Sequence, residues 1–121
     1  MSGRPWRMRL SEAAETDLER IVRWTEERFG RRQADDYMAL LAAAFDELAL
    51  DGPGCPGARH RDDVRPGLLT LHVGRRGRRG RHFILFRIAE PRPDPVIEVL
   101  RVLHDAMDLL RHVPDIDPDG G

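Results

Sequence analysis

Lysine is absent from this chain of 121 residues, and all 20 of its basic residues are arginine. The guanidinium is a flat, permanently charged fork suited to carboxylates and phosphates, so the chain grips anions through forks rather than through mobile point charges. High-GC coding also produces lysine-free, Ala- and Arg-rich chains, but it does not explain where the arginines lie. Cysteine is nearly as scarce. Cys55 stands alone, which excludes a disulfide framework and a cysteine metal cluster and leaves an incidental loop thiol. There is one tyrosine, Tyr37. No segment approaches the ~20 apolar residues of a membrane span, and MSGRPWRMRLS at the start has no secretory apolar region. The expectation is a soluble, cytoplasmic protein with no membrane partner.

The apolar share of 40% supports one packed core, and folding at this length buries roughly two-thirds of the surface of the unfolded chain. A single domain over residues 1–121 follows, with flexible ends at about 1–5 and 114–121. The formal net charge of −1 hides a division of charge. Residues 59–87 carry nine arginines against Asp62 and Asp63, whereas the chain from Asp105 onward carries five aspartates against Arg111. That separation points to a basic surface for an acidic partner.

The periodicities give the order β, α, α, β, β, β. Trp6, Met8 and Leu10 alternate with arginines over Pro5 to Leu10, as in a short strand with one buried face. Ser11 is a natural N-cap, and Ala14, Leu18, Ile21, Thr25 and Phe29 recur at helical steps until Gly30. A second helix carries Ala34, Tyr37, Met38, Leu41, Phe45 and Leu48 on one stripe and stops at Asp51-Gly52-Pro53. The short connection predicts an antiparallel helical hairpin, with Ala42, Ala43 and Ala44 allowing close approach. GPGCPGARHRDDVRPG reads as a crossing loop. Leu68 to Val73, His82 to Ile88 and Val96 to Leu103 then read as an antiparallel meander. His104 to Val113 suits a short last helix, followed by the acidic tail PDIDPDGG. The fold class is therefore α+β, a helical hairpin on a small antiparallel sheet.

Several residues invite functional readings. Arg75, Arg76, Arg78, Arg79 and Arg81, spaced by Gly77 and Gly80, form either an anion-gripping hairpin or a solvated one; no P-loop or dinucleotide fingerprint accompanies them. Arg87 and Arg101 lie within strands, where a charge faces solvent, a partner or an ion pair, and Glu98 offers such a pair. Trp24 falls about 80° from the centre of its helical stripe and Leu40 lies well off the next one, so both mark either a groove or ordinary surface. The five histidines show no metal-ligand spacing, and neither metal nor cofactor is expected.

The helical segments, RPGLLTLHVG, RHFILFRI and IEVLRVLHDAMDLLRHV together resemble the ParE branch of the RelE/ParE toxin superfamily, over about residues 8 to 113. RPGL before the second strand and EVLRVLHDAMD at the end carry most of the likeness. The resemblance implies a toxin of a type II toxin-antitoxin system of the plasmid-stabilising kind. It also implies a ParD-like antitoxin that binds along the toxin surface in a hetero-oligomer, and inhibition of DNA gyrase by binding. No direct sequence-specific contact to nucleic acid is expected. The antitoxin-binding candidates are Trp24, Arg28, Leu40, Arg65 and Arg87. The target-binding candidates are the hairpin arginines 75, 76, 78, 79 and 81 with Met107, Leu109 and Leu110. The RelE branch cuts messenger RNA with basic residues and often a residue near the chain end. Here lysine is missing, Tyr37 lies in a helix and Asp105 follows the last strand, which disfavours that chemistry. No catalytic residue is assigned. The ribonuclease alternative would use Arg87, Arg101 and His104, and a degenerate antitoxin-binding module is the remaining alternative.

Overall fold

Ser11 shows how sequence becomes architecture at the first junction. Its hydroxyl accepts the Ala14 N–H at 3.0 Å, capping the helix that follows, and donates to the Leu100 carbonyl at 2.8 Å. In the computed structural model, which describes residues 5–75, 77–89, 95–107 and 109, Ser11 separates strand β1 (Arg7–Leu10) from helix α1 (Glu12–Phe29). Gly30 turns the chain into α2 (Arg31–Asp51). A short 3-10 turn at Gly52–Gly54 ends the hairpin. Gly52 has φ +62°, and a Cβ there would lie 2.4 Å from the Trp6 ring, so glycine is required for both conformation and space. No described helix is long and apolar enough to cross a membrane.

The sheet contains β2 (Arg59–His60), β3 (Leu69–His72), β4 (His82–Ala89) and β5 (Val96–His104), in the order β1-β5-β4-β3-β2. The meander of β3, β4 and β5 is antiparallel as the turn signals predict. Two features correct the sequence reading. β1 pairs with β5 in parallel, so the sheet is mixed, and β2 adds a two-residue edge strand inside the expected crossing loop. Apolar alternation specifies which face of a strand is buried and is silent on partner and direction.

The helices cover one face of the sheet. Ala14, Ile21, Leu41, Ala44 and Leu48 pack there against Leu71, Ile84, Phe86, Ile97 and Val99. Leu40, expected at a groove, is 2% exposed in this core; α2 is in contact with α1 as well as the sheet, so its buried face is wider than one stripe. A smaller cluster comprises Leu68, Leu85, Leu100, Leu103 and Leu109, with Val64 and Phe83 against it.

The junction of α1 with β5 is polar and specific. β1 stops at Leu10, opposite Val99, and the β4–β5 register shifts between Leu85 and Phe86. Beyond that point, backbone groups of β5 find partners on the entry to α1. Ser11 N–H donates to Val99 O, Ser11 Oγ to Leu100 O, and Val102 N–H donates to Asp17 Oδ2 at 2.9 Å. Asp17 also receives two bonds from the Arg101 guanidinium, at 2.7 and 2.8 Å. A buried carboxylate survives in a helix facing a sheet only with such partners.

Candidate functional site

An open groove of about 540 Å³ lies where the turn of the helical hairpin meets the ends of β4 and β5. Its lining is Trp24, Thr25 and Phe29 from α1, Gln33 and Tyr37 from α2, Arg79 and Arg81 from the hairpin, His82 from β4 and His104 from β5. Trp24 and Phe29 stand edge to face, ring centres 5.9 Å apart, and are 53% and 61% exposed. The Arg28 guanidinium sits 5.2 Å from the Trp24 ring centre, a cation–π contact. Phe29 closes the helix at its last turn, where the apolar stripe has run past the sheet, and so it stands in solvent instead of in the expected core.

The polar floor is built on the Tyr37 hydroxyl. Arg81 N–H donates to it at 2.8 Å, and it shares a hydrogen bond of 2.7 Å with His82 Nδ1, donating to that nitrogen where His82 carries its proton on Nε2. Burial, aided by the neighbouring His104, lowers the His82 pKa to about 4, which favours the neutral imidazole. Burial also raises the Tyr37 pKa and keeps it a donor. The His82 and His104 rings meet edge to face at 5.3 Å. His104 Nδ1 accepts the Ala106 N–H at 3.1 Å, and His72 bonds Asp105 at 3.1 Å, which holds the Asp105 carboxyl below the usual range.

The hairpin that carries the arginines is tight. Arg75 and Arg78 exchange backbone bonds across Gly77, and a Cβ at Gly80 would meet the Val73 side chain at 2.5 Å. Arg75 turns inward toward Glu47, 3.7 Å away, and beside Cys55, whose thiol is pushed up by burial. Arg78 donates to the Asp36 carbonyl at the start of α2. Arg79 and Arg81 are left on the groove.

Residues 8–109 match the family model described as the ParE toxin of the type II toxin-antitoxin system, parDE. The chain belongs to the ParE toxin family. A curated ParE-family relative, Toxin ParE1 of Mycobacterium tuberculosis, is 34% identical over 107 residues, 86% of this chain and 94% of its own length. Toxin ParE1 of Caulobacter vibrioides is 31% identical over 105 residues, 87% of this chain and 95% of its own. A solved structure of the chromosomal ParDE TA system from P. aeruginosa has the same fold, with a TM-score of 0.65 at 18% identity over 82% of this chain and 95% of that one. Being a ParE-type toxin of a type II toxin-antitoxin system is thus established at the level of the family.

In this ParE fold the residues singled out from sequence separate into four places. Trp24 lines the groove with Arg79 and Arg81, and Arg28 lies against the Trp24 ring, which joins part of the antitoxin set to part of the target set. Arg65 and Arg87 line a small recess with Leu68 and Leu100. Arg87 bonds Glu98 at 2.7 Å, and Arg9 pairs with the same carboxylate; burial pushes that carboxyl up, but the two arginine bonds outweigh it and hold it low. Leu40 belongs to the core, as described. Leu109 is 6% exposed against Leu68, Leu85, Leu100 and Leu103, so in the free chain it is covered, while Met107 is exposed. β5 runs on to His104, followed by a turn in place of an immediate helix. Arg76, Leu110, the rest of the expected last helix and the acidic tail lie outside the described residues.

The ribonuclease trio does not converge. Arg101 is tied to Asp17, Arg87 to Glu98, and Arg87 stands five residues along β4 from His82, the partner of His104, about 16 Å away at strand spacing. Sequence reasoning missed Gln33, Tyr37 and His82 as groove residues. Their only signal was chemical, a lone tyrosine and a strand-end histidine whose meeting depends on tertiary structure.

Proposed function

We propose that this ParE-family toxin acts by binding DNA gyrase in the cytoplasm and is neutralised by a ParD-like antitoxin. The observation that supports it is the state of the candidate catalytic arginines: Arg87 and Arg101 are engaged by acidic residues, and His104 stands apart from Arg87. Tyr37 and His82 hold one another's polar atoms, which leaves the groove suited to gripping and poor in a free proton donor–acceptor pair. The antitoxin reading rests on exposed rings beside exposed arginines, a surface that a partner with apolar and acidic groups covers.

Inducible expression with two reporters tests the proposal. A gyrase poison or inhibitor triggers the DNA-damage response while translation continues; a ribosome-dependent nuclease stops translation and leaves cleaved messenger RNA. Trp24→Ala should weaken the toxin-antitoxin complex by ~10-fold or more in titration calorimetry, as expected for an exposed aromatic anchor. Unchanged affinity would remove Trp24 from the interface.

A further inference from the structure

The groove differs in composition from the rest of the molecule. Five of its nine lining residues are aromatic rings (Trp24, Phe29, Tyr37, His82 and His104), two are arginines, and Thr25 and Gln33 complete it. Among these lining residues there is no carboxylate, in a chain with one more acid than base, and no aliphatic side chain, in a chain whose core is chiefly aliphatic. The guanidinium forks of Arg79 and Arg81 favour an anion. Trp24 and Phe29 present flat surface, with Arg28 lying against the indole.

A ligand that satisfies all of this is an anion with a flat heteroaromatic body. We propose that the groove is a nucleotide-binding site, which takes an unpaired base against Trp24 and Phe29 and the attached phosphate on Arg79 and Arg81. Rings that stack and guanidinium groups that fork onto phosphate are the means by which proteins hold single strands without reading sequence. The volume of about 540 Å³ falls in the range of ligand pockets. Gln33 supplies both a donor and an acceptor for a base edge, and His104 keeps Nε2 free of the bond that occupies its Nδ1. An amphipathic peptide helix is the poorer fit, because such helices anchor through residues spaced over two turns into a run of apolar surface, and here the exposed apolar surface is one pair of rings. The site shares Trp24 and the exposed arginines with the surface proposed for the antitoxin, and nucleotide binding by the free toxin is a further property that does not rest on that proposal. Its ligand is either a free nucleotide or the end or loop of a single strand, which share this chemistry.

The test uses the full chain, with fluorescein-labelled (dT)8 and U8 followed by anisotropy, and unlabelled AMP and UMP as competitors. Binding of the oligomers is expected, with affinity that falls as salt rises, and Trp24→Ala should weaken it roughly 5- to 100-fold. Arg79→Ala and Arg81→Ala should each lower the slope of log K against log salt by about 0.7, the value for one phosphate contact on a single strand. Arg7→Ala, an exposed arginine on β1 opposite Val96, at the far end of β5 from His104, should leave binding unchanged. Competition by mononucleotides at comparable concentration assigns the site to free nucleotides; competition by oligomers alone assigns it to strands. All substituted side chains are exposed, and circular dichroism confirms that each variant is folded. The proposal is overturned if neither oligomer nor mononucleotide binds at millimolar concentration, if the groove variants bind as the parent does, or if a Glu-rich peptide with one tryptophan binds at least 10-fold more tightly than any nucleotide. Antitoxin binding measured on the same Arg79 and Arg81 variants keeps the two functions separate: antitoxin binding retained where nucleotide binding falls assigns these arginines to the nucleotide site, whereas antitoxin binding lost with nucleotide binding intact overturns the nucleotide site and leaves the toxin reading standing.

Discussion

Replacing Asp17 by asparagine should be among the most destabilising single exchanges in this protein that leave its shape intact. Asp17 lies in α1, is almost fully buried, and receives Arg101 Nε at 2.7 Å, Arg101 Nη2 at 2.8 Å and the Val102 N–H at 2.9 Å. Asparagine still offers a carbonyl to Val102, so the backbone bond survives, but its NH2 group confronts the Arg101 fork and the neutralising charge is gone. Removing one partner of a buried ion pair costs ~3 to 5 kcal/mol, and the Arg101 side chain, 16% exposed, keeps enough access to water to place the expected loss near ~3. At about 3 to 6 °C per kcal/mol for a domain of this size, the melting temperature should drop by ~10 to 15 °C. A second variant separates charge from shape. Asp17→Asn with Arg101→Met removes the buried guanidinium too and should recover most of the loss, since apolar replacement of a buried pair is often close to neutral. Thermal melts followed by circular dichroism provide the reading. A single variant melting within ~2 °C of the parent, or a double variant no better than the single, would refute the argument that this pair fastens α1 to β5.

Other expectations follow from the same geometry. His82 has a folded pKa of about 4 against an ordinary value of 6.5, so the unfolded chain binds the proton first. Stability should be fully present above about pH 6.5 and decline as pH falls toward 4, and urea midpoints across that range should lose much of this slope in His82→Gln. Tyr37→Phe removes the bond to His82 and the acceptor for Arg81 N–H, and should cost ~1 to 3 kcal/mol by denaturant titration; a neutral result would mean that water replaces both bonds. Leu109→Ala should cost ~2 to 5 kcal/mol, because Leu109 fills a cluster with Leu68, Leu85, Leu100 and Leu103; an unchanged urea midpoint would show that the end of the chain does not contribute to this packing.

The helices were legible because their signals are local. Ser11 caps, Gly30 and Asp51-Gly52 stop, and the steps among Ala14, Ile21, Leu41 and Leu48 give the buried faces. The meander was legible for the same reason, through turn residues between alternating runs. The parallel pairing of β1 with β5 was not, since Arg7 to Leu10 would alternate identically beside any neighbour. Leu40 misled because a helix packed on two sides has no single stripe, and Phe29 because a stripe can outrun the surface it covers. The groove was half visible: Trp24 and the hairpin arginines stood out singly, but the meeting of Tyr37, Arg81, His82 and His104 requires three distant segments to converge. Arg101 illustrates the limit best. A charge in a strand announces that it needs a partner, and Glu98 was the nearer choice in sequence, whereas the fold supplies Asp17 from 84 residues away.

The proposal that this ParE-family toxin inhibits DNA gyrase by binding, without cleavage of messenger RNA, is tested by gyrase supercoiling in vitro. Purified toxin added to purified gyrase and relaxed plasmid should abolish supercoiling in a dose-dependent manner, and the cognate antitoxin should restore it. Full supercoiling at saturating toxin, together with messenger RNA cut by the same preparation on ribosomes, would contradict the account.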